Sequence, residues 1–471
     1  MANPEHVRLV FTDEWNNWRE KYPNITPDFT GVNLKGSNLS NKNLSGAIFY
    51  RADLRECNFS NTNLKDSNMK ESILDNSIFS NANIDNINFD YLNLKGILFH
   101  KVSAIRSSFR GCDLTAANFS QANLRNTNFE GANLTEAMFI GVQLEGATVG
   151  GATLYKASFI STVCIDAVFE TSVIEQSDFK KANLQKASFQ QCKIKLSDFS
   201  FTNFSNAQVK AAHIDGCRFN SANFMETDFT GSFIEDSDFT ESKFIRTVFR
   251  ACKLININTT RVEINNVTFA GAKLDSINFI AAIFHKPNFE QSTLNNCKMR
   301  HRKLTGAIFR KAKLSLVDLR ESELSEADFS YTYLLNTSLR TISAKKASFA
   351  YINAEGIDFS GSKLALADFS HANLKYSDFR LSKLIGAYLV YANLSYSNLS
   401  GANLREAKFK RTNLIGAKMK KAKLSGYYIA RMLFAIINMI IAINNKLMRR
   451  KFEAEEKRIE KVERMLDENK Y

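Results

Sequence analysis

Seven cysteines and six histidines are the residues with the most chemistry to offer, and their spacing offers little of it. Metal sites draw on ligands a few residues apart, as in C-x-x-C or H-x-x-x-H, so that donors from one element reach the same ion. His6, His100, His213, His285, His301 and His371 are instead dispersed, and no such pair occurs. The sequence also lacks a glycine-rich phosphate loop and a nucleophile elbow. Cys57, Cys112, Cys192, Cys217, Cys252 and Cys297 share one position of a short repeat, Cys164 takes another, and no two are twenty residues apart. They stand where Ala and Ser stand elsewhere, which predicts buried free thiols acting as small apolar groups. Asp and Glu are common, but carboxylates recurring on a regular outer face read as a solvated face, not as acid/base machinery. The sequence predicts no catalytic residue, no metal ligand, no cofactor and no enzyme.

What positions these residues is the repeat itself. From Phe29 every fifth residue is large and apolar: Phe29, Leu34, Leu39, Leu44, Phe49, Leu54, and onward without a slip to Phe409, Leu414, Met419 and Leu424. Of the 80 stops only Ala104, Cys164, Thr259, Ala344 and Ala354 are not Leu, Phe, Ile, Met or Val. Two places before each stop the residue is usually small, as at Ala117, Ala122, Ser172 and Ser177, and Asn, Asp or Ser usually lies between. A period of five fits neither a 3.6-residue helix nor a two-residue strand, so each unit is a short extended run followed by a turn. Asn, Asp and Ser favour that turn by bonding their own backbone. Phe fills 29 of the 40 stops whose numbers end in 9 but only four of those ending in 4, which places Phe on two opposite sides of a coil of four units. Where a stop is small, the inward residue two places earlier is large: Val102 before Ala104, Ile257 before Thr259, Ile342 before Ala344 and Ile352 before Ala354. That exchange predicts a core repacked at constant density.

These units resemble the pentapeptide-repeat family, whose motif is commonly written A(D/N)LXX, over residues 27–425, about 85% of the chain. The resemblance implies an all-β solenoid, a right-handed quadrilateral parallel β-helix of about 20 coils with the stop and the small residue facing inward. At ~4.8 Å between strands the rod would be about 95 Å long. The best-known function in the family, protection of DNA gyrase by acidic, DNA-shaped members, fits poorly. Net charge is +14; residues 1–26 carry −1 and residues 446–471 carry +2, so the body holds +13 and cannot imitate a phosphate backbone. No loop interrupts the units, whereas some gyrase-protecting members carry such loops. Nucleic-acid binding by the basic body is disfavoured as well, since no groove-entering helix or stacking platform is apparent.

A solenoid exposes its core and strand edges at both ends, so caps are expected. In residues 1–26, Thr12 reads as the N-cap of a helix that puts Trp15 and Trp18 on one face before Pro23, and both tryptophans are expected to cover the first coil. That stretch is charged and lacks a secretory signal's apolar core, which gives a cytoplasmic expectation. Residues 426–471 read as a long α-helix, apolar from Tyr427 to Met448 and then charged. Its heptad-spaced positions are Arg431, Phe434, Asn438, Ile441, Asn445, Met448, Phe452, Ile459, Val462 and Leu466. Buried Asn at such positions commonly sets register in a coiled coil. Twenty-two residues at 1.5 Å would also reach roughly 33 Å, enough for a bilayer. Three readings therefore stand: a spanning helix, a membrane-lying or membrane-embedded oligomer, and a soluble assembly helix.

Two surface features complete the reading. A basic collar, Lys418, Lys420, Lys421 and Lys423, precedes the apolar segment, and residues 405–423 carry a net +7. Such a collar suits an anionic cytoplasmic membrane face, which attracts roughly 1 kcal/mol per basic residue. Tyr331, Tyr351, His371, Tyr391 and Arg411 recur at twenty-residue steps, as an aromatic stack or a partner-binding stripe. Arg302, at an inward position near Pro287, predicts a local bulge or a side chain that emerges between faces. The function these features imply is a non-enzymatic scaffold for an unidentified protein partner, made a homo-oligomer or attached to a membrane through its C-terminal helix.

Overall fold

The computed structural model describes residues 2–425. The expected C-terminal helix, with Arg431 to Leu466, lies outside the described residues. Two short helices, α1 (Pro4–Leu9) and α2 (Trp15–Lys21), precede a parallel β-solenoid. Rungs pair with those twenty residues on, from Asp28↔Ile48 through Asn403↔Lys423 with few gaps, so four pentapeptides separate successive rungs. In most units the pairing is a single bridge. Thirteen three-residue strands, from Thr153–Tyr155 to Tyr333–Leu335, form a ten-stranded and a three-stranded parallel sheet among the described residues.

The five-residue unit explains itself through its hydrogen bonds. Leu34 N–H and Gly36 N–H donate to the carbonyls of Asp53 and Arg55 one coil ahead, both at 2.8 Å, and Asp53 N–H donates back to Val32 at 2.9 Å. Ser37 N–H closes the turn onto Leu34 at 3.0 Å, so most backbone groups of the unit find partners. Asn33 Oδ1 accepts from Lys35 N–H at 3.0 Å, the Asx turn anticipated for that position. Among the described residues the corner two residues after each stop takes a left-handed conformation, at 61 non-glycine and 18 glycine positions, such as Asn41 (φ 60°) and Gly36 (φ 71°). Glycine enters it without steric cost, whereas other residues incur about 1 kcal/mol or more.

Inside, Phe side chains form two columns. Rings stack along each column, as in Phe139, Phe159 and Phe179 at 4.6 Å steps, and meet the other column edge to face, as in Phe99 and Phe109 at 5.6 Å and 75°. Offset-stacked and edge-to-face pairs are the favoured aromatic geometries.

The regularity fails in places that the sequence marks. Thr259 breaks the column between Phe239 and Phe279, and Ile257 does not fill the space: an apolar cavity of about 20 Å³ remains, lined by those residues with Phe244, Phe249 and Ile277. The expected constant density does not hold there, because Thr259 turns its hydroxyl to the Asn278 carbonyl at 2.7 Å and offers the core only a methyl group. At Arg302 the side chain emerges half-buried between coils, donating from Nε to Arg300 O (3.0 Å) and from Nη1 to Ala282 O (3.4 Å). No bridge joins Ile283 to Lys303, whereas Asn288↔Ile308 and Lys303↔Glu323 keep the register on either side. The ladder is thus cut locally without a slip of phase.

The N-terminal cap differs from expectation in its first half. Thr12 is not the helix N-cap; its Oγ1 donates to Leu9 O at 2.8 Å and closes α1, while Glu14 precedes α2 without a capping side-chain bond. The unforeseen α1 starts at Asn3, whose Oδ1 accepts from Glu5 N–H at 2.9 Å, with Pro4 at the first helical position. Trp15 is fully buried, its ring 5.9 Å from Phe29 and its Nε1 donating to Asn43 O at 2.9 Å. Trp18 is half-buried between Trp15 (5.2 Å) and His6 (5.1 Å).

Candidate interaction surfaces

All seven cysteines are free and buried. Burial pushes the Cys57 thiol up to about 11 and those of Cys112, Cys192, Cys217, Cys252 and Cys297 to about 12, and raises Cys164 further. Thiols held in that range are poor nucleophiles and poor metal ligands at neutral pH. Among the described residues no cluster of His, Cys, Asp or Glu is arranged to hold a metal ion. No described helix is long and apolar enough to cross a membrane.

Ionic contacts run along the rod axis. Arg51–Glu71, Arg125–Glu145 and Arg261–Glu241 join residues twenty apart, and such exposed pairs contribute about 0–1 kcal/mol each. Asp198 differs in being 5% exposed, with Arg218 at 2.8 Å, Lys180 at 3.1 Å and the Ser200 hydroxyl at 2.6 Å. Burial opposes its ionisation, but the bonds from Ser200, Lys180 and Arg218 outweigh burial and hold its carboxyl below the ordinary value of 3.8.

The aromatic column lies on one exposed corner, carried by left-handed residues at twenty-residue steps. Tyr331 stacks on Tyr351 at 4.7 Å and 5°, Tyr351 on His371 at 4.6 Å and 1°, and His371 on Tyr391 at 4.7 Å and 10°; the Arg411 guanidinium caps Tyr391 at 5.5 Å. Lys418, Lys420, Lys421 and Lys423 are exposed on the last described turns, with no carboxylate within ion-pair distance among the described residues.

Two functional-looking features escaped the sequence reading. Arg19 is buried in the cap, where it donates to the carbonyls of Ile25 (2.6 Å) and Ser45 (3.0 Å) and ties α2 to the first coil. Arg300, Arg320, Arg340, Arg380 and Lys420 form a second axial column, half a coil from the aromatic one. The comparison of residues twenty apart that isolates the tyrosines also isolates these cations.

The solenoid resembles solved structures at low identity. HetL, a pentapeptide repeat protein involved in heterocyst differentiation regulation from the cyanobacterium Nostoc sp. strain PCC 7120, is 22% identical over 55% of this chain and 89% of its own, with a TM-score of 0.20. QnrB1, a plasmid-mediated fluoroquinolone resistance protein, is 13% identical over 41% of this chain and 94% of its own, with a TM-score of 0.22. A pentapeptide repeat protein from the Arabidopsis thaliana thylakoid lumen is 27% identical over 28% of this chain and 68% of its own, with a TM-score of 0.09. No curated protein matches the chain significantly. The family model described as pentapeptide repeats (8 copies) matches in eleven stretches, the first at residues 28–66 and the last at 387–426. With its five-residue units, its twenty-residue register and the family-model match over most of its length, the chain belongs to the pentapeptide-repeat family.

Proposed function

We propose that the protein is a non-enzymatic scaffold, a single rod of about 20 right-handed, four-sided coils whose long faces hold protein partners. The observation that carries this reading is the division of labour within each unit. Inward positions are consumed by packing, backbone groups by the ladder, and the outward residues are left free to vary. Specificity in such a fold resides in those surface residues. The stack of Tyr331, Tyr351, His371, Tyr391 and Arg411 is the partner-binding stripe in this reading, because tyrosine and arginine are enriched at interfaces and tyrosine supplies contact area at small entropic cost.

Residues 426–471 serve to assemble the rods or to hold them at the cytoplasmic face of an anionic membrane, with Lys418, Lys420, Lys421 and Lys423 toward the headgroups. Cell fractionation and light scattering on the full chain and on a truncation ending at Ser425 test this part. A full chain that pellets with membranes beside a soluble, monomeric truncation supports the anchor. A soluble full chain of defined oligomeric state supports assembly, and identical behaviour of the two forms refutes both.

A further inference from the structure

The basic column opposite the tyrosine stack borders a channel to which no role has been assigned. One hollow of about 460 Å³ lies among Arg300, Arg320, Glu321 and Arg340. A second, of about 640 Å³, runs from Arg340 past Arg380 and Leu381 to Lys420 and Lys421. Arg340 and Thr341 line both, so the two adjoin at that coil.

Charge along this channel is uneven. Arg320 and Arg380 are neutralised by Asp318 (2.7 Å) and Asp378 (2.6 Å), each two residues earlier in the chain. At the corresponding places before Arg340 and Lys420 stand Ser338 and Lys418. Arg340, Lys420 and Lys421 accordingly have no carboxylate partner among the described residues. The larger hollow thus has a free cation at one end and two at the other, a centre in which Arg380 is paired and Asp358 adds a carboxylate with no ion-pair partner among the described residues, and Leu381 at its middle, 72% exposed. Successive coils sit about one strand spacing apart, Ser360 and Ser400 stand in the column between Arg340, Arg380 and Lys420, and the four coils from Arg340 to Lys420 span about 19 Å.

We propose that this channel docks an extended acidic segment of a partner protein, with carboxylates at both ends of the channel and an apolar side chain on Leu381 between them. At about 3.3 Å per residue, about six residues separate the two acidic positions. Charge placement favours a peptide over nucleic acid. A nucleic-acid strand carries a phosphate at every step, about 3.4 Å along its axis in duplex form. It would press phosphates against Asp318, Asp358 and Asp378, where a peptide can place neutral residues. The inference rests on the scaffold reading and deepens it by naming the chemistry of one partner; it uses neither the tyrosine stack nor residues 426–471, and it gives Lys420 and Lys421 of the basic collar to the peptide instead of to headgroups.

Fluorescence anisotropy on the full chain tests it. The probe is a labelled decapeptide with two glutamates at each end and a Pro/Leu/Ala centre; its comparators are the same composition with the four glutamates contiguous, a ten-residue oligothymidylate, and phosphatidylserine vesicles. The end-charged peptide should bind at least threefold more tightly than the contiguous one. Arg340→Ala with Lys420→Ala and Lys421→Ala should weaken it at least tenfold, while Tyr351→Ala with Tyr391→Ala should leave it within twofold. An unchanged affinity in the triple variant overturns the proposal. So does tighter binding of the oligonucleotide or the vesicles with the same loss in the variant, or loss of peptide binding in the tyrosine variant alone. Failure of the tyrosine stack to bind any partner would count against the scaffold stripe and leave the channel standing.

Discussion

Replacing Arg302 with alanine should strengthen the rod. In the regular pattern, Lys303 N–H would donate to Ala282 O, Phe284 N–H to Lys303 O and Lys286 N–H to Thr305 O, and none of these three bonds forms among the described residues. Arginine cannot enter a core already filled, so it leaves between coils and takes the Ala282 carbonyl for itself. Restoring three backbone bonds is worth about 3 kcal/mol in all, at about 1 kcal/mol each. The two guanidinium–carbonyl bonds lost are weak ones, that to Arg300 O exposed to water and that to Ala282 O long at 3.4 Å, and together cost about 2 kcal/mol once solvent screening is counted. The net gain of about 1 kcal/mol corresponds to roughly fivefold rarer opening. Hydrogen exchange measured peptide by peptide should therefore slow about fivefold at residues 282–286 and 303–306 in Arg302→Ala, with distant coils unaffected, since each coil contacts only its neighbours. Faster exchange there would refute the reasoning. It would mean that the guanidinium holds the coils together and that the interruption originates at Pro287, which has no N–H to contribute.

Phe159→Ala removes a fully buried ring stacked at 4.6 Å on both sides, and should cost about 3–5 kcal/mol in urea unfolding, more than the same change at Phe409, which is only partly buried near the last coil. Native protein should resist thiol alkylation at pH 8, and denatured protein should take up seven equivalents, because burial raises every cysteine well above that pH. Asp198→Asn should flatten the acid limb of the stability curve. The folded carboxyl of Asp198 lies below its unfolded value of 3.8, so its contribution is present above that pH and fades as pH falls through the folded value; the variant lacks it throughout. Trp15→Ala should expose Phe29 and release the Asn43 carbonyl, destabilising the first coil by about 3–5 kcal/mol, read as faster exchange confined to the N-terminal coils.

Most of the solenoid was legible because a period of five has few physical solutions and the Phe bias chose one with two opposed columns. The stacked and edge-to-face rings are the spatial form of that bias. Local failures were located but not resolved. The sequence marks Thr259 and Arg302 as misfits, yet the direction of a hydroxyl and the exit path of a guanidinium depend on neighbours one coil away. The first helix was missed because Asn3 precedes only six helical residues, Pro4 among them, too few for a periodic signal. The arginine channel was overlooked for a different reason: its cations are twenty to forty residues apart in ordinary reading, and only their alignment on a twenty-residue register makes them neighbours.

That register also fixes what insertions and deletions do. Each pentapeptide is a quarter turn, so inserting or deleting five residues preserves the small-polar-apolar core grammar while rotating everything downstream by 90°. A five-residue insertion near residue 310 would leave Tyr331 to Arg411 stacked among themselves but turn that stack onto a different side relative to the N-terminal coils. An insertion of twenty would restore the alignment and lengthen the rod by one strand spacing, about 4.8 Å. Length and facing direction are therefore separately adjustable in this protein, the first in steps of twenty residues and the second in steps of five.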